Sequence, residues 1–277
     1  PILYAKALAY HLTGDAKYAQ EVKNILERIM SEVKRISINE LQCQLNFAWG
    51  TPELVASADL IEGYWKDQTC IGPTSTVYGH DATGSGNCKA RFQNWLVKNP
   101  YYVVSEATTR MLGNNWGAAA TNAAMYIADY MWDRPTAQLV HRNPVQVNGG
   151  NDYVFTPGQA YAFLKNLTIQ RMNMQGVTWT RRSCDNLAGP NQSPKWPPVK
   201  SGITENGIVS EDAQRKEHCN IPRYDGMYEN YPQLHLGNLI QQCELMLRRG
   251  DHSCYDNVEM TDIPSYSFVG PDGETRI

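Results

Sequence analysis

Apolar residues recur at intervals of three and four along most of the 277-residue chain, a spacing that is typical of amphipathic helices. Two such segments, residues 2–10 and 18–36, lie on either side of the tripeptide Thr13-Gly14-Asp15. A tight glycine turn between two helical segments predicts an αα-hairpin. The same spacing predicts further helices at residues 41–66, 89–112, 114–133, 158–175 and 211–248.

Prolines and turn-forming residues mark where these helices are expected to stop. Pro52 predicts the first turn of a new helix, and Asn99-Pro100 predicts a break. Residues 67–88 are rich in glycine, threonine, serine and aspartate and hold two cysteines, which predicts a loop closed by a disulfide. Two further loops are expected at residues 134–157 and 176–210, and only residues 176–181 show a trace of strand-like alternation.

Paired helices with almost no strand pattern predict an all-α fold, which we expect to be a single domain over residues 1–277. An incomplete (α/α) toroid, a ring of antiparallel helix hairpins with long loops, fits this pattern best. A solenoid of the tetratricopeptide type is the alternative, but it needs a repeat of about 34 residues, and no fixed-period repeat stands out. Because the first residues already follow a helical pattern, we expect the natural N-terminus to lie upstream.

The charge, the lengths of the apolar runs and the cysteine spacing argue against several classes of binding partner. A net charge of −3 and a pI near 6.1 argue against a surface for nucleic acid, and no apolar run has the length of a membrane span. The seven cysteines include no C-x-x-C pair, so the ligand spacing of a zinc ribbon is absent. We therefore expect no nucleic-acid partner, no membrane partner and no metal or other cofactor.

Cysteines and sequons together indicate the compartment. Asn166-Leu-Thr168 is a glycosylation sequon, and the one at Asn191 is weaker because Pro194 follows it. These features favour a secreted, monomeric protein with about two or three disulfides and one thiol left over. A cytosolic protein with buried thiols is the alternative.

The most informative helix is the one that follows Asn114 and Asn115. Adjacent amides suit the cap of a helix better than its interior. The alanine-rich run behind them predicts a helix with close neighbours on every side, holding both amides at its end. An ordinary N-cap on a core helix is the alternative interpretation.

A second stretch, between residues 205 and 256, concentrates titratable side chains. Arginine next to tyrosine favours the phenolate and lowers the phenol pKa, which is what a tyrosine base near neutral pH requires. A hydrogen-bonded cluster that merely holds loops together is the alternative. The residues concerned are Arg215, His218, Arg223, Tyr224, Tyr228 and Tyr231.

These two stretches, in this order, resemble the alginate lyase superfamily of helical-toroid polysaccharide lyases. Members carry Asn-Asn-His before a small-residue helix, where this chain has Asn114-Asn115-Trp116, and a C-terminal tyrosine at the head of a helix, where it has Tyr231. The opening residues 9–19 and the segment 46–64 are also similar to the first inner helices of such toroids. The glucuronan lyase group looks closest, followed by alginate lyase. Trp116 departs from the family histidine.

The resemblance implies a metal-independent β-elimination on a β-1,4-linked polyuronate. Asn115, with Asn114, would neutralise the uronate carboxylate, and Arg223 or Arg215 would stabilise charge. Tyr231 would take the C5 proton and return it to the leaving O4, which one residue can do when both leave from the same side. Glucuronate and mannuronate meet that condition, whereas guluronate does not. The role of the missing histidine would be lost or taken by His218, His141 or His80.

A polysaccharide also needs a cleft with aromatic platforms. The expected substrate-binding residues are Asn114, Trp116, Gln44, Asn46, Trp49, Tyr224 and Tyr228. Trp65, Trp95 and Tyr64 are further candidates for stacking, although a tryptophan in a helix more often packs in the core. Two functional alternatives remain: a glycoside hydrolase on a similar toroid, using Glu211, Asp212 or Asp225, and a helical module that binds polysaccharide without catalysis.

Overall fold

The computed structural model describes residues 2–33, 36–38, 40–70, 76–77, 80–81, 86–110, 115–142, 152–173, 230–256, 268–269 and 275–276. The helices are α1 (Ile2–Thr13), α2 (Ala16–Glu32), α3 (Leu41–Leu60), α4 (Glu62–Trp65), α5 (Cys88–Leu96), a π-helical turn (Val97–Tyr101), α6 (Tyr102–Arg110), α7 (Asn115–Tyr130), α8 (Pro157–Asn173), α9 (Asn230–Arg248) and α10 (Ser253–Asp256). Helices dominate, so the predicted all-α class is confirmed at this level.

Three short antiparallel hairpins accompany the helices. They pair β1 (Thr76–Val77) with β2 (His80–Asp81), β3 (Leu139–His141) with β4 (Tyr153–Phe155), and β5 (Phe268–Val269) with β6 (Thr275–Arg276). The expectation of plain loop at residues 134–157 is therefore wrong where β3 and β4 form. The strand trace at 176–181 and the predicted helix over 211–229 lie outside the described residues.

The first two helices form the predicted hairpin. Gly14 has φ +72°, a left-handed conformation that only glycine adopts at little cost, and its amide donates to the carbonyl of Tyr10 at 2.7 Å. Asp15 caps α2 by accepting from the Lys17 amide at 3.0 Å. The break at residues 13–15 thus reverses the chain as expected.

The two proline breaks turn out differently from the prediction. Pro52 lies inside α3, which continues from Leu41 to Leu60, so no new helix starts there. Pro100 lies in the π-helical turn, and α5 and α6 continue directly from it on either side. The wider π-helical turn accommodates the proline, which has no N–H to donate. The helical path therefore continues from α5 into α6.

Helix α7 is the central helix of the described structure. It packs against α3, α6, α8 and α9, and its side chains are buried all round except at Trp116, Tyr126 and Asp129. The alanines that recur along its 16 residues allow four neighbouring helices to approach one axis. The prediction of a small-residue helix crowded by its neighbours is confirmed.

Helices α7 and α9 run parallel. Asn122 donates to Asn238 and to Gln241, and Arg249 donates to the carboxylate of Asp129. Together with the contact of Gln242 with the Ala118 carbonyl, they join residues 116 to 124 positions apart. A separation that changes so little along the two helices is what parallel helices give.

Helix α3 is parallel to α7 as well, because the continuous segment α5–α6 is antiparallel to both. Lys89 contacts Glu62 near the end of α3 at 2.9 Å, whereas the ring of Trp95 lies 6.2 Å from that of Phe47 near its start. Gln93 donates to Asp133, just beyond the end of α7, at 2.7 Å, and the far end of α6 leads into the start of α7.

Helix α8 reverses the direction of α7, because its early residue Tyr161 contacts Trp132 just beyond the end of α7, whereas its later residue Thr168 contacts Met125. Helix α1 follows the direction of α3. The Tyr4 amide donates to Glu53 at 3.3 Å, and the rings of Tyr10 and Tyr64 lie 5.9 Å apart. The chain therefore has α1, α3, α7 and α9 in one direction, with the other long helices antiparallel to them.

Disulfides join Cys70 to Cys88 and Cys243 to Cys254. The first closes the loop at residues 67–88 that was predicted to contain a disulfide, and the second links α9 to α10. Cys43 is not in a disulfide, and Cys184 and Cys219 lie outside the described residues. None of the helices in the part of the chain described here is long and apolar enough to cross a bilayer.

Candidate functional site

The N-terminal ends of α3, α7 and α9 lie at the same end of the molecule because the three helices are parallel. Contacting positions of α7 and α9 are 116 to 124 residues apart, which puts Asn115 level with the stretch from position 231 to position 239. Each residue of a helix rises by about 1.5 Å, so these positions span about two turns at the start of α9. The residues singled out in two distant parts of the sequence are thereby brought to one end of the fold.

Asn115 is the first residue of α7 and is buried, with 1% of its surface exposed. The first turn of a helix presents backbone N–H groups that have no intrahelical partner, and it carries a partial positive charge. A neutral amide at that position is suited to hydrogen-bond an anionic group. Asn114, the residue before it, lies outside the described residues.

Tyr231 is the second residue of α9, and its side chain lies outside the described residues. His235 is one helical turn further along the same face of α9 and is fully buried. Sequence analysis gave His235 no role, although its four-residue spacing from Tyr231 was the signal that would have pointed to it. Position 231 and a buried imidazole therefore share one face of this helix.

The start of α3 contributes polar and aromatic groups in two directions. Gln44 is buried, and its amide donates to the carbonyl of Ile38 at 2.5 Å, which ties the preceding loop to the helix. Asn46 and Trp49 lie on the exposed side, where Asn46 accepts from Gln42 at 2.9 Å and Trp49 is 41% exposed. Asn46 and Trp49 are therefore available to a ligand, whereas the side chain of Gln44 faces the protein.

The remaining aromatic candidates separate into core and surface. Trp65 and Trp95 are completely buried, and each lies within 6 Å of the Phe92 ring, so the hypothesis that they stack on a ligand is wrong. Tyr64 donates to Gln20 at 2.8 Å between α4 and α2. Trp116 is half-buried next to Asn115 and packs against the core.

His141, one of the candidates to replace the family histidine, is a core residue. Its Nδ1 lies 3.1 Å from the Tyr101 hydroxyl, and its Nε2 lies 3.2 Å from the Thr108 hydroxyl. The rings of Phe155 and Phe163 pack against it. Burial lowers the pKa of His141 to about 4, so at neutral pH it is an uncharged imidazole with both nitrogens engaged.

A row of amides and hydroxyls, all buried except the exposed Gln241, runs between α7, α8 and α9 beneath the candidate site. We call it the amide row, and it consists of Asn122, Thr168, Asn238, Gln241 and Gln242. Gln242 donates to the carbonyl of Ala118 at 2.8 Å and accepts from Thr168 at 2.6 Å, and Asn122 donates to Gln241 at 2.7 Å. These directional contacts fix how far α9 is shifted along α7.

Charged groups gather at the opposite end of the parallel helices. The pKa of Asp59 is raised by partial desolvation and by the carboxylates of Glu62 and Asp129, and Arg248 and Lys89 oppose that shift. Arg249 pairs with Asp129 and lies 4.0 Å from the centre of the Trp132 ring. These groups hold helix ends together and are distant from Asn115 by the length of α7.

The other candidates from the sequence lie mostly between residues 211 and 228. Arg215, His218, Arg223, Tyr224 and Tyr228 lie outside the described residues, as do Glu211, Asp212 and Asp225, and the side chain of His80 is likewise outside them. Among the described residues, potential metal ligands converge at Glu27, Cys70 and Cys88. Both sulfurs of that group are joined in a disulfide.

Comparison with models of known protein families, with curated proteins and with solved structures gives no match.

Proposed function

We propose that the protein is a polysaccharide lyase that cleaves a β-1,4-linked polyuronate, glucuronan or polymannuronate, by syn β-elimination without a metal. The observation that carries this proposal is that α7 and α9 are parallel neighbours, so Asn115 and position 231, both in the first turn of their helices, lie at the same end of the fold. A buried amide at a helix N-terminus and a tyrosine on the adjacent helix are the pair that this reaction requires. An extracellular site of action is consistent with the two disulfides.

We propose an incomplete (α/α) toroid as the architecture that supports this site. In such a ring the inner helices share one direction and the outer helices return the chain. The common direction of α1, α3, α7 and α9, with the opposite direction of α2, of α5–α6 and of α8, supports this arrangement. The active site would lie where the N-terminal ends of the inner helices meet.

The chemistry follows from the acidity of the C5 proton. That proton is difficult to remove while the neighbouring carboxylate keeps its full charge, because the developing enolate adds a second one. Hydrogen bonds from Asn115 and Asn114, and the positive end of α7, would neutralise the carboxylate. Arg223 or Arg215 would contribute the compensating positive charge. The same positive charge would favour the phenolate form of Tyr231 and so lower the pKa of its hydroxyl.

Tyr231 would act as base and then as acid. It accepts the C5 proton as the C5 carbon becomes trigonal, and it donates that proton to O4 as the C4–O4 bond breaks. The products are a chain with a new reducing end and a chain with an unsaturated uronate at its non-reducing end. His218 or the buried His235 would orient the phenol.

The exposed side of α3 supports a binding role next to this centre. Asn46 and Trp49 are three residues apart on one helical face, and Trp116 lies at the start of the adjacent helix α7. An indole face and an amide match the apolar face and the hydroxyls of a pyranose. Tyr224 and Tyr228 would complete the cleft.

The decisive experiment offers purified protein to glucuronan, polymannuronate and polyguluronate and follows the ultraviolet absorbance of the unsaturated product. We expect absorbance to rise with glucuronan or polymannuronate, and to stay flat with polyguluronate and with Tyr231→Phe. New reducing ends without absorbance would indicate a hydrolase. Binding without any new reducing ends would indicate a non-catalytic module. Either outcome would overturn the proposal.

A further inference from the structure

A surface asparagine on α8 stands apart from the candidate site. Asn166 is exposed, and its side chain makes no hydrogen bond with any residue of the described structure, while the next two residues, Leu167 and Thr168, are buried. The three residues form the acceptor sequence for N-linked glycans, with no proline between asparagine and threonine. The fold thus exposes the Asn166 amide that would accept the glycan, whereas Thr168, the other recognised residue of the sequon, is buried.

We propose that Asn166 is a site of N-linked glycosylation and that the glycan is added before α8 folds. In the folded protein the Thr168 hydroxyl is fully buried, donates to Gln242 at 2.6 Å and lies 3.0 Å from the carbonyl oxygen of Leu164. A transferase that must recognise that hydroxyl cannot reach it once α8 has packed against α9. The threonine therefore serves the modification first and the amide row afterwards.

The local surface has room for the first sugar. Side chains on a helix lean toward its N-terminus, so a group on Asn166 extends over Ala162 and then toward Gly158. Ala162 and Gly158 are both exposed, and neither side chain obstructs that path. Lys165, the residue before Asn166, is directed toward Asp251 at 2.5 Å and also leaves the site open.

The transfer is an exchange of bonds at the anomeric carbon of the sugar. The Asn166 Nδ2 forms a bond to C1 of the first N-acetylglucosamine of an oligosaccharide linked to a lipid pyrophosphate. The bond between C1 and the phosphate oxygen breaks, the lipid pyrophosphate leaves with the electron pair, and Nδ2 gives up one proton. This chemistry takes place in the compartment where disulfides form, and the bridges Cys70–Cys88 and Cys243–Cys254 agree with that location.

The test expresses the full chain behind a secretory leader in a eukaryotic host and analyses the secreted protein by mass spectrometry. An amidase that removes N-glycans converts a glycosylated asparagine to aspartate, and in ¹⁸O-labelled water the new carboxylate carries the label. Subsequent trypsin digestion, after Lys165 and after Arg171, isolates the sequon in one short peptide. We expect labelled aspartate at position 166.

Two variants make the test specific. Asn166→Gln should abolish the label in this peptide without changing the melting temperature of the deglycosylated protein, because the side chain is exposed. Thr168→Ser keeps both the hydroxyl and the sequon and should retain the label. An unlabelled peptide from the secreted wild-type protein, with asparagine intact at position 166, would overturn the proposal. Since this readout involves no substrate, it is independent of the proposed lyase activity.

Discussion

Acidification should destabilise this protein through one buried histidine. His141 is 1% exposed and lies among Tyr101, Phe155 and Phe163, where a charged imidazolium loses its hydration. Burial lowers its pKa from 6.5 to about 4, while Asp152 opposes that shift. The folded state therefore binds this proton less tightly than the unfolded state does, and acid favours unfolding.

The size of the effect follows from the two pKa values. Above pH 6.5 the imidazole is neutral in both the folded and the unfolded state, so the free energy of unfolding does not change through this group. Below that pH the unfolded state takes up the proton first, and the free energy of unfolding falls by up to 1.36 kcal/mol per pH unit. With values of 6.5 and about 4, the loss is about 2 kcal/mol at pH 5 and about 3 kcal/mol at pH 4.

The assay is urea denaturation at pH 7, 6, 5 and 4, comparing the wild type with His141→Asn and with His252→Gln. Other groups also titrate in this range, so the informative quantity is the difference between proteins in how stability changes with pH. His141→Asn should be less stable at pH 7 but should lack the loss of about 3 kcal/mol toward pH 4. His252 is exposed, and its variant should follow the wild type. Parallel curves for the wild type and His141→Asn would refute the argument.

Three further predictions follow from the site and the core. Tyr231→Phe should lower turnover by about three orders of magnitude and Asn115→Ala by about two to three, with a less than additive double variant, measured as initial rates of unsaturated product. Gln242→Leu removes two buried hydrogen bonds, including the one from Thr168, and should cost about 1–3 kcal/mol in urea denaturation. Full reduction should lower the melting temperature strongly, since each native disulfide contributes about 2–5 kcal/mol; an unchanged value would indicate that the bridges do not stabilise the fold.

The sequence predicts those features whose cause is local. The Thr13-Gly14-Asp15 turn forms because Gly14 adopts a positive φ and Asp15 caps the next helix. The alanine-rich run gives the central helix α7, because small side chains are what a helix with four neighbours requires. In both cases the residue type and the structure it causes lie within a few positions of each other.

Features that depend on distant parts of the chain escape sequence analysis. Trp65 and Trp95 lie in the core, because the helical pattern identifies an apolar face but not which neighbour covers it. The strands β3 and β4 have three residues each, too few for a recognisable alternation. Pro100 is accommodated within a π-helical turn, which depends on how the helix packs. The spacing of His235 from Tyr231 can be read from the sequence, but its complete burial depends on the helices that pack against α9.

The position of α9 along α7 links the amide row to the candidate site. Hydrophobic side chains alone would allow α9 to shift by one turn and still bury its apolar face. Such a shift moves Tyr231 by about 5.4 Å relative to Asn115, which is far more than the tolerance of proton transfer between a phenol and a bound sugar. The hydrogen bonds of Gln242 to Ala118 and of Asn122 to Gln241 are lost in any shifted arrangement. Since unpaired amides in the core are costly, these hydrogen bonds fix the register of α9 along α7, and the proposed pairing of Tyr231 with Asn115 depends on that register.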